Sequence, residues 1–142
     1  MRIILIIMAL IATGCGKDSI PAIEWSGEVT EQSERFILTH DMGRTRLPQV
    51  ELAWIRVQTC TGISIDISDR PLTIEYTNPE DIPDDLYGKI VYSDSYTRIR
   101  KSDFSRNAKT TRHEMLHYII YLVEGTTKQS AHDHIFWEQC RF

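Results

Sequence analysis

The stretch Thr110-Thr111-Arg112-His113-Glu114-Met115-Leu116-His117-Tyr118-Ile119-Ile120-Tyr121-Leu122-Val123-Glu124-Gly125 decides how the rest of the chain is read. It sets His-Glu-x-x-His on a segment with helical apolar spacing at Leu116, Ile119, Ile120 and Val123. Two histidines four apart lie one helical turn apart on the same face, so both imidazoles reach one ion, while Glu114 reaches a water bound to it. Zinc suits that pattern, because three protein ligands leave a fourth position for water, whose pKa falls towards neutrality. The motif therefore predicts amide hydrolysis, with His113 and His117 as ligands and Glu114 as the general base. Three specified positions also arise by chance, and on a surface helix they would be solvated polar side chains. The context favours the metal: Asn107 or Ser105 offers an N-cap and Gly125 a left-handed stop, giving a helix over about 107–124.

A third ligand has to come from downstream, where the histidines are His132 and His134, in Ser130-Ala131-His132-Asp133-His134-Ile135-Phe136-Trp137-Glu138-Gln139-Cys140. The turn-rich connection Gly125-Thr126-Thr127-Lys128-Gln129-Ser130 lets the chain fold back over the helix, and spacing leaves both histidines open. Asp133 reads as a partner orienting an imidazole or as a solvated residue. Glu124, seven residues after His117, lies too far along the axis to reach the ion.

With 142 residues, 42% hydrophobic and 25% charged, the chain fits one globular domain. A formal charge of −4 argues against a nucleic-acid footprint, and the basic residues Arg98, Arg100, Lys101 and Arg106, interrupted by Asp103, read as a solvated face. Met1-Arg2 followed by the apolar run Ile3 to Ala12 is too short for a comfortable membrane span and reads as a secretory signal over 1–14. It ends in Ala12-Thr13-Gly14-Cys15, which resembles a bacterial lipobox, with Ala12 where Leu is usual. That resemblance implies lipidation of Cys15, a lipidated N-terminus and tether over 15–30, and an exported, membrane-anchored protein on the periplasmic or extracellular face. Removing 1–14 takes away one charge, Arg2, and leaves the remainder more acidic.

With Cys15 lipidated, Cys60 and Cys140 are the thiols left in an exported chain and are expected to pair. Closing a loop of that length would stabilise the fold by about 4.5 kcal/mol. The competing use of Cys140 as a soft zinc ligand would leave Cys60 unpaired. Residues 31–142 then form one domain. Its first expected element is a helix over Leu47 to Val57, with Pro48 in the first turn and Leu47, Val50, Trp54 and Val57 on a core face. His40, in a turn-like stretch, reads as a surface residue. Ile63 to Ile67, Leu72 to Tyr76, Ile90 to Tyr92 and Tyr96 to Arg100 alternate with period two and read as strands. The last of them is expected beside the metal helix, leaving an edge to which an extended substrate could add.

Cys60-Thr61-Gly62, then Arg112-His113-Glu114-Met115-Leu116-His117, then His132 to Cys140 resemble the zincin metallopeptidases, in particular small bacterial metallopeptidases that are often exported or lipoproteins. His132-Asp133-His134-Ile135-Phe136-Trp137 is also similar to the SprT-like segment in which the third ligand opens a His-x-x-x-Phe-Trp pattern. The resemblance implies an α+β, zincin-like fold: a small, mostly antiparallel sheet, an active-site helix and a C-terminal ligand-bearing helix. It implies His132 as the third ligand, one Zn2+ as cofactor, and Phe136 and Trp137 seating the last helix under the site. Its expected partner is a protein or peptide substrate, including peptidoglycan peptides, with no nucleic acid. A zinc-binding lipoprotein without catalysis and a module that binds a partner through its sheet edge are the rival readings.

Overall fold

The computed structural model describes residues 28–78, 80, 82, 88–92, 95–101, 104–125 and 132–141. Along them run β1 (Glu31–Gln32), β2 (Phe36–Thr39), α1 (Leu47–Thr61), β3 (Leu72–Thr77), β4 (Gly88–Val91), β5 (Tyr96–Arg100), α2 (Phe104–Glu124) and α3 (Ile135–Gln139). The expected signal segment, most of the tether and the lipidation site Cys15 lie outside the described residues. Among the described residues no helix is long and apolar enough to cross a membrane.

The fold is α+β, with the sheet ordered β1-β2-β3-β5-β4. Four strands make up its body and the two-residue β1 edges it. β2 with β3 and β3 with β5 are parallel, whereas β1 and β4 run antiparallel at the two edges. The expectation of a mostly antiparallel sheet is therefore corrected to a mixed one. The reason is β2, a four-residue strand absent from the sequence reading, which makes α1 the crossover that two parallel strands require. One further expectation changes. Ile63 to Ile67 is not a strand: the Ile65 amide donates to Gln58 Oε1 at 3.0 Å and the Ile63 amide to Thr61 Oγ1 at 3.3 Å, so these donors go to side chains and not to a ladder. The edge strand, which the sequence left open, is β4 on the side of β5.

Register puts Phe36, Leu38, Leu72, Ile74, Tyr76 and Ile99 on one face of the sheet, all buried. Val50, Ala53, Trp54 and Val57 of α1 and Met115, Leu116, Ile119 and Ile120 of α2 join them in one core. Fully burying each of the large apolar side chains contributes about 1.5–3 kcal/mol. On the other face Glu75 accepts from the Tyr96 hydroxyl and from Arg98 Nε at 3.0 Å. Arg100 donates to the Ile82 carbonyl at 2.9 Å and Lys101 pairs with Asp41. Those basic residues are thus structural partners, not the solvated face the sequence suggested. Arg106 alone of that cluster is exposed.

The start of α1 depends on a residue far from it in sequence. Arg46, at the N-cap position, makes no side-chain cap. Glu31 of β1 takes that role, accepting from the Arg46 amide at 2.6 Å and the Leu47 amide at 3.0 Å while holding His40 Nε2 at 2.6 Å. His40 is consequently a nearly buried structural residue, its side chain 7% exposed, and not a surface one. Burial pushes the Glu31 carboxyl up, but the two amides and His40 outweigh it and hold it below its ordinary value of 4.5. A depressed carboxyl contributes stability that is full above the unfolded value and is lost as pH falls through the folded one. Glu31→Ala is expected to cost about 1–3 kcal/mol at pH 7 in chemical denaturation, the size of hydrogen bonds to a charged group. The gap to wild type should narrow below pH 4.5.

Candidate metal centre

α2 begins at Phe104, earlier than the expected Asn107, which lies inside the helix and is buried. It ends where the sequence placed its stop: Gly125 is left-handed at φ 67° and its amide donates to the Tyr121 carbonyl at 2.8 Å. An ordinary surface helix keeps one face in water, yet residues 114–120 of α2 are buried all the way round. Val123, read as part of the apolar face, is instead 49% exposed beyond that stretch.

His113 and His117 sit on this helix with ring centroids 4.9 Å apart. His132 arrives from the short 3-10 turn ahead of α3, so the third histidine precedes the C-terminal helix and is not carried on it. Its ring lies 5.2 Å from that of His113 and 4.7 Å from that of His117. One ring nitrogen from each of the three falls within 4.8 Å of the others, a group able to hold a metal ion. Trp137 of α3 packs on all three rings, at 4.7, 4.8 and 4.8 Å.

One of the donor pairs has the spacing of two ligands on a single ion. Two nitrogens bound at 2.0–2.1 Å in tetrahedral geometry stand about 3.3 Å apart. His113 Nε2 and His132 Nε2 are 3.4 Å apart. Burial, followed by the charges of His132 and Lys109, lowers His113 to about 4. Burial, with His113 and His132, lowers His117 to about 3. Both imidazoles therefore stay neutral, the form that binds a metal, at pH 7. A core histidine is ordinarily held by hydrogen bonds, but the buried Nδ1 of His117 has no partner among the described residues.

Glu114 is buried, and its carboxyl lies against β4. A Cβ added at Gly88 would meet Glu114 Oε1 at 2.6 Å, so only glycine lets this edge strand lie against the carboxylate. Burial alone raises Glu114 to about 8. Tyr92, just past β4, is half-buried with its ring 4.9 Å from that of Tyr121, and burial together with the Glu114 charge raises its phenol. Neither Gly88 nor Tyr92 was picked out from the sequence. A glycine opening a strand is a signal of close backbone approach, whereas nothing in the spacing marks Tyr92.

The remaining candidates are placed elsewhere. His134 caps α3, accepting from the Phe136 amide at 3.2 Å through Nδ1, while its Nε2 lies 2.8 Å from Glu124 Oε1. Both its nitrogens are used outside the cluster. Glu124 and Asp133 are not in the ligand group, and Tyr118 donates to Ser95 Oγ at 2.8 Å. Cys140 is no ligand: it is bonded to Cys60, with Cα atoms 5.4 Å apart, as expected from the thiol count. Comparison with known proteins finds no matching family model, no matching curated protein and no matching solved structure.

These shifts oppose one another in the metal-free protein. The lowered histidines contribute stability that is full above 6.5 and lost as pH falls towards 4. The raised Glu114 contributes stability that is full below 4.5 and lost as pH rises through 8. Glu114→Gln removes the second effect. In chelator-treated protein it should melt at the same temperature as wild type near pH 4.5 and roughly 10–20 °C higher above pH 8, the equivalent of up to about 5 kcal/mol.

Proposed function

We propose that this chain is a zinc-dependent peptidase of the zincin type, tethered to a bacterial membrane through Cys15. The observation that carries the reading is the convergence of His113, His117 and His132, with a buried carboxylate, Glu114, next to His113 in the same helix and outside the ligand group. Zinc held there would supply a Lewis acid for the scissile carbonyl and lower the pKa of its bound water towards 7.

The chain's own residues do the rest. Glu114, as carboxylate, takes the proton of the attacking water and returns it to the leaving amine. A cation beside it favours the ionised form that burial opposes, so the same carboxyl that is protonated at pH 7 without metal becomes a base with it. Tyr92 keeps its proton and is a hydroxyl donor within electrostatic reach of Glu114. β4, at the edge of the sheet and against Glu114, offers its free backbone side to an extended substrate, which would pair with it as another strand.

Elemental analysis should find one zinc per chain in wild type, in His134→Ala and in Glu114→Gln, and none in His132→Ala. On a peptide library, Glu114→Gln should lower turnover by about 10²–10⁴-fold, the usual share of a general base. Wild-type turnover in that variant would end the mechanism. Gly88→Ala must displace the Glu114 carboxyl, and a displacement on the order of 1 Å costs about 100-fold. Its turnover should fall by that order with zinc content unchanged.

A further inference from the structure

We propose that the Cys60–Cys140 disulfide is a redox gate on the metal centre, its reduction releasing the third histidine and weakening metal binding. The inference rests on the metal reading above and adds its regulation.

Among the described residues, the segment that carries His132 has few other buried holds. α3 is five residues long and none of them is buried. A single helix of that length has no stability of its own. Phe136 and Trp137 reach the core only in part, and His132 itself is exposed. The contact of His134 with Glu124 is made by a carboxylate 46% exposed, a kind of pair that contributes little. The buried anchor of the segment is Cys140, 4% exposed, directly after α3. Its bond leads to Cys60 in the last turn of α1, and α1 packs in one core with α2, which carries His113 and His117. A continuous line thus runs from two ligands through α1 and the bridge to Trp137, whose ring touches all three imidazoles, and on to His132.

Reduction by two thiols of the glutathione class breaks the S–S bond. Two electrons and two protons pass to Cys60 and Cys140, and the two reductant thiols leave as their own disulfide. Cys60, only partly buried, is the sulfur a thiolate reaches first. His132 then belongs to a chain end whose local concentration at the site has fallen.

The test measures zinc affinity by chelator competition on the full chain in a Cys15→Ala background. Oxidised protein is compared with Cys60→Ser/Cys140→Ser, each with and without His132→Ala. The double serine variant, which has no thiols of its own to bind zinc, should bind roughly 5- to 150-fold more weakly, the range of ordinary coupling between sites. In the His132→Ala background, where two histidines hold zinc too weakly to survive purification but measurably in titration, the same change should have no further effect, because the ligand it positions is gone. Equal affinity with and without the bridge, or full additivity with His132→Ala, overturns the gate and leaves the zinc site standing. No zinc bound by the oxidised protein overturns both. If the serine variant does not fold, the bridge is titrated in the Cys15→Ala protein with reduced and oxidised glutathione. By reciprocity, saturating zinc should make it harder to reduce by the same factor. A midpoint unmoved by zinc, or moved towards easier reduction, overturns the proposal.

Discussion

The site depends on the burial of α2 over residues 114–120, where the helix meets α1 and the apolar face of the sheet with no side left to water. A helix enclosed on every side has to satisfy each polar group it carries. Thr111 does so through the Tyr76 hydroxyl at 2.9 Å and Tyr118 through Ser95 at 2.8 Å. Two groups stand apart. Nδ1 of His117 has no hydrogen-bond partner among the described residues, and burial raises Glu114 with no opposing charge among the described residues. Met115, Leu116, Ile119 and Ile120, all buried, compensate for enclosing them. The same packing that stabilises the fold thereby creates the chemistry, since it is burial that keeps the histidines neutral and raises the glutamate.

What could be read from the sequence followed local rules. The His113–His117 pair was legible because helix spacing is fixed, and the end of α2 because Gly125 takes a conformation few other residues tolerate. The same rule applied to Gly62, left-handed at φ 70°, would have carried α1 to Thr61. Polar Gln58 and Thr59 hid the last turn. β2 escaped because Phe36-Ile37-Leu38-Thr39 is short and does not alternate, and with it went the parallel arrangement of the sheet. Ile63 to Ile67 failed in the opposite way, alternating without a strand to pair with. Alternation records which side of a segment faces the core; a ladder needs a neighbour, and that is a property of the whole fold.

Long-range choices were beyond spacing. His132 and His134 are two residues apart and either could reach the helix. The structure separates them by what each has to do locally: His134 stands where α3 begins, and its imidazole is used as the cap and as a partner of Glu124. Residues known for N-caps are Ser, Thr, Asp and Asn, so a histidine in that position gives no warning. Glu31 is a similar case, a carboxylate from a two-residue strand capping a helix that starts at Leu47. His40 followed it into the interior. Such partnerships join residues fixed only when the sheet has formed.

A metal centre on these histidines serves either structure or catalysis, and its donors differ accordingly. A structural zinc site closes its coordination with a fourth protein ligand, whereas a catalytic one keeps that position for water. The described residues supply three nitrogens and no fourth donor to the group. A site that served only to hold α3 against α2 would also duplicate the bridge from Cys60 to Cys140, which already ties that segment to the core. Above all, it would have no use for Glu114. A buried carboxylate whose burial no charge among the described residues offsets weakens the fold once it ionises, and Gly88 has no side chain to crowd it. Strained electrostatics of this kind gather where a group must change its protonation in the course of a reaction. One residue from His113 and outside the three-histidine group, Glu114 has the position that the proposed base requires.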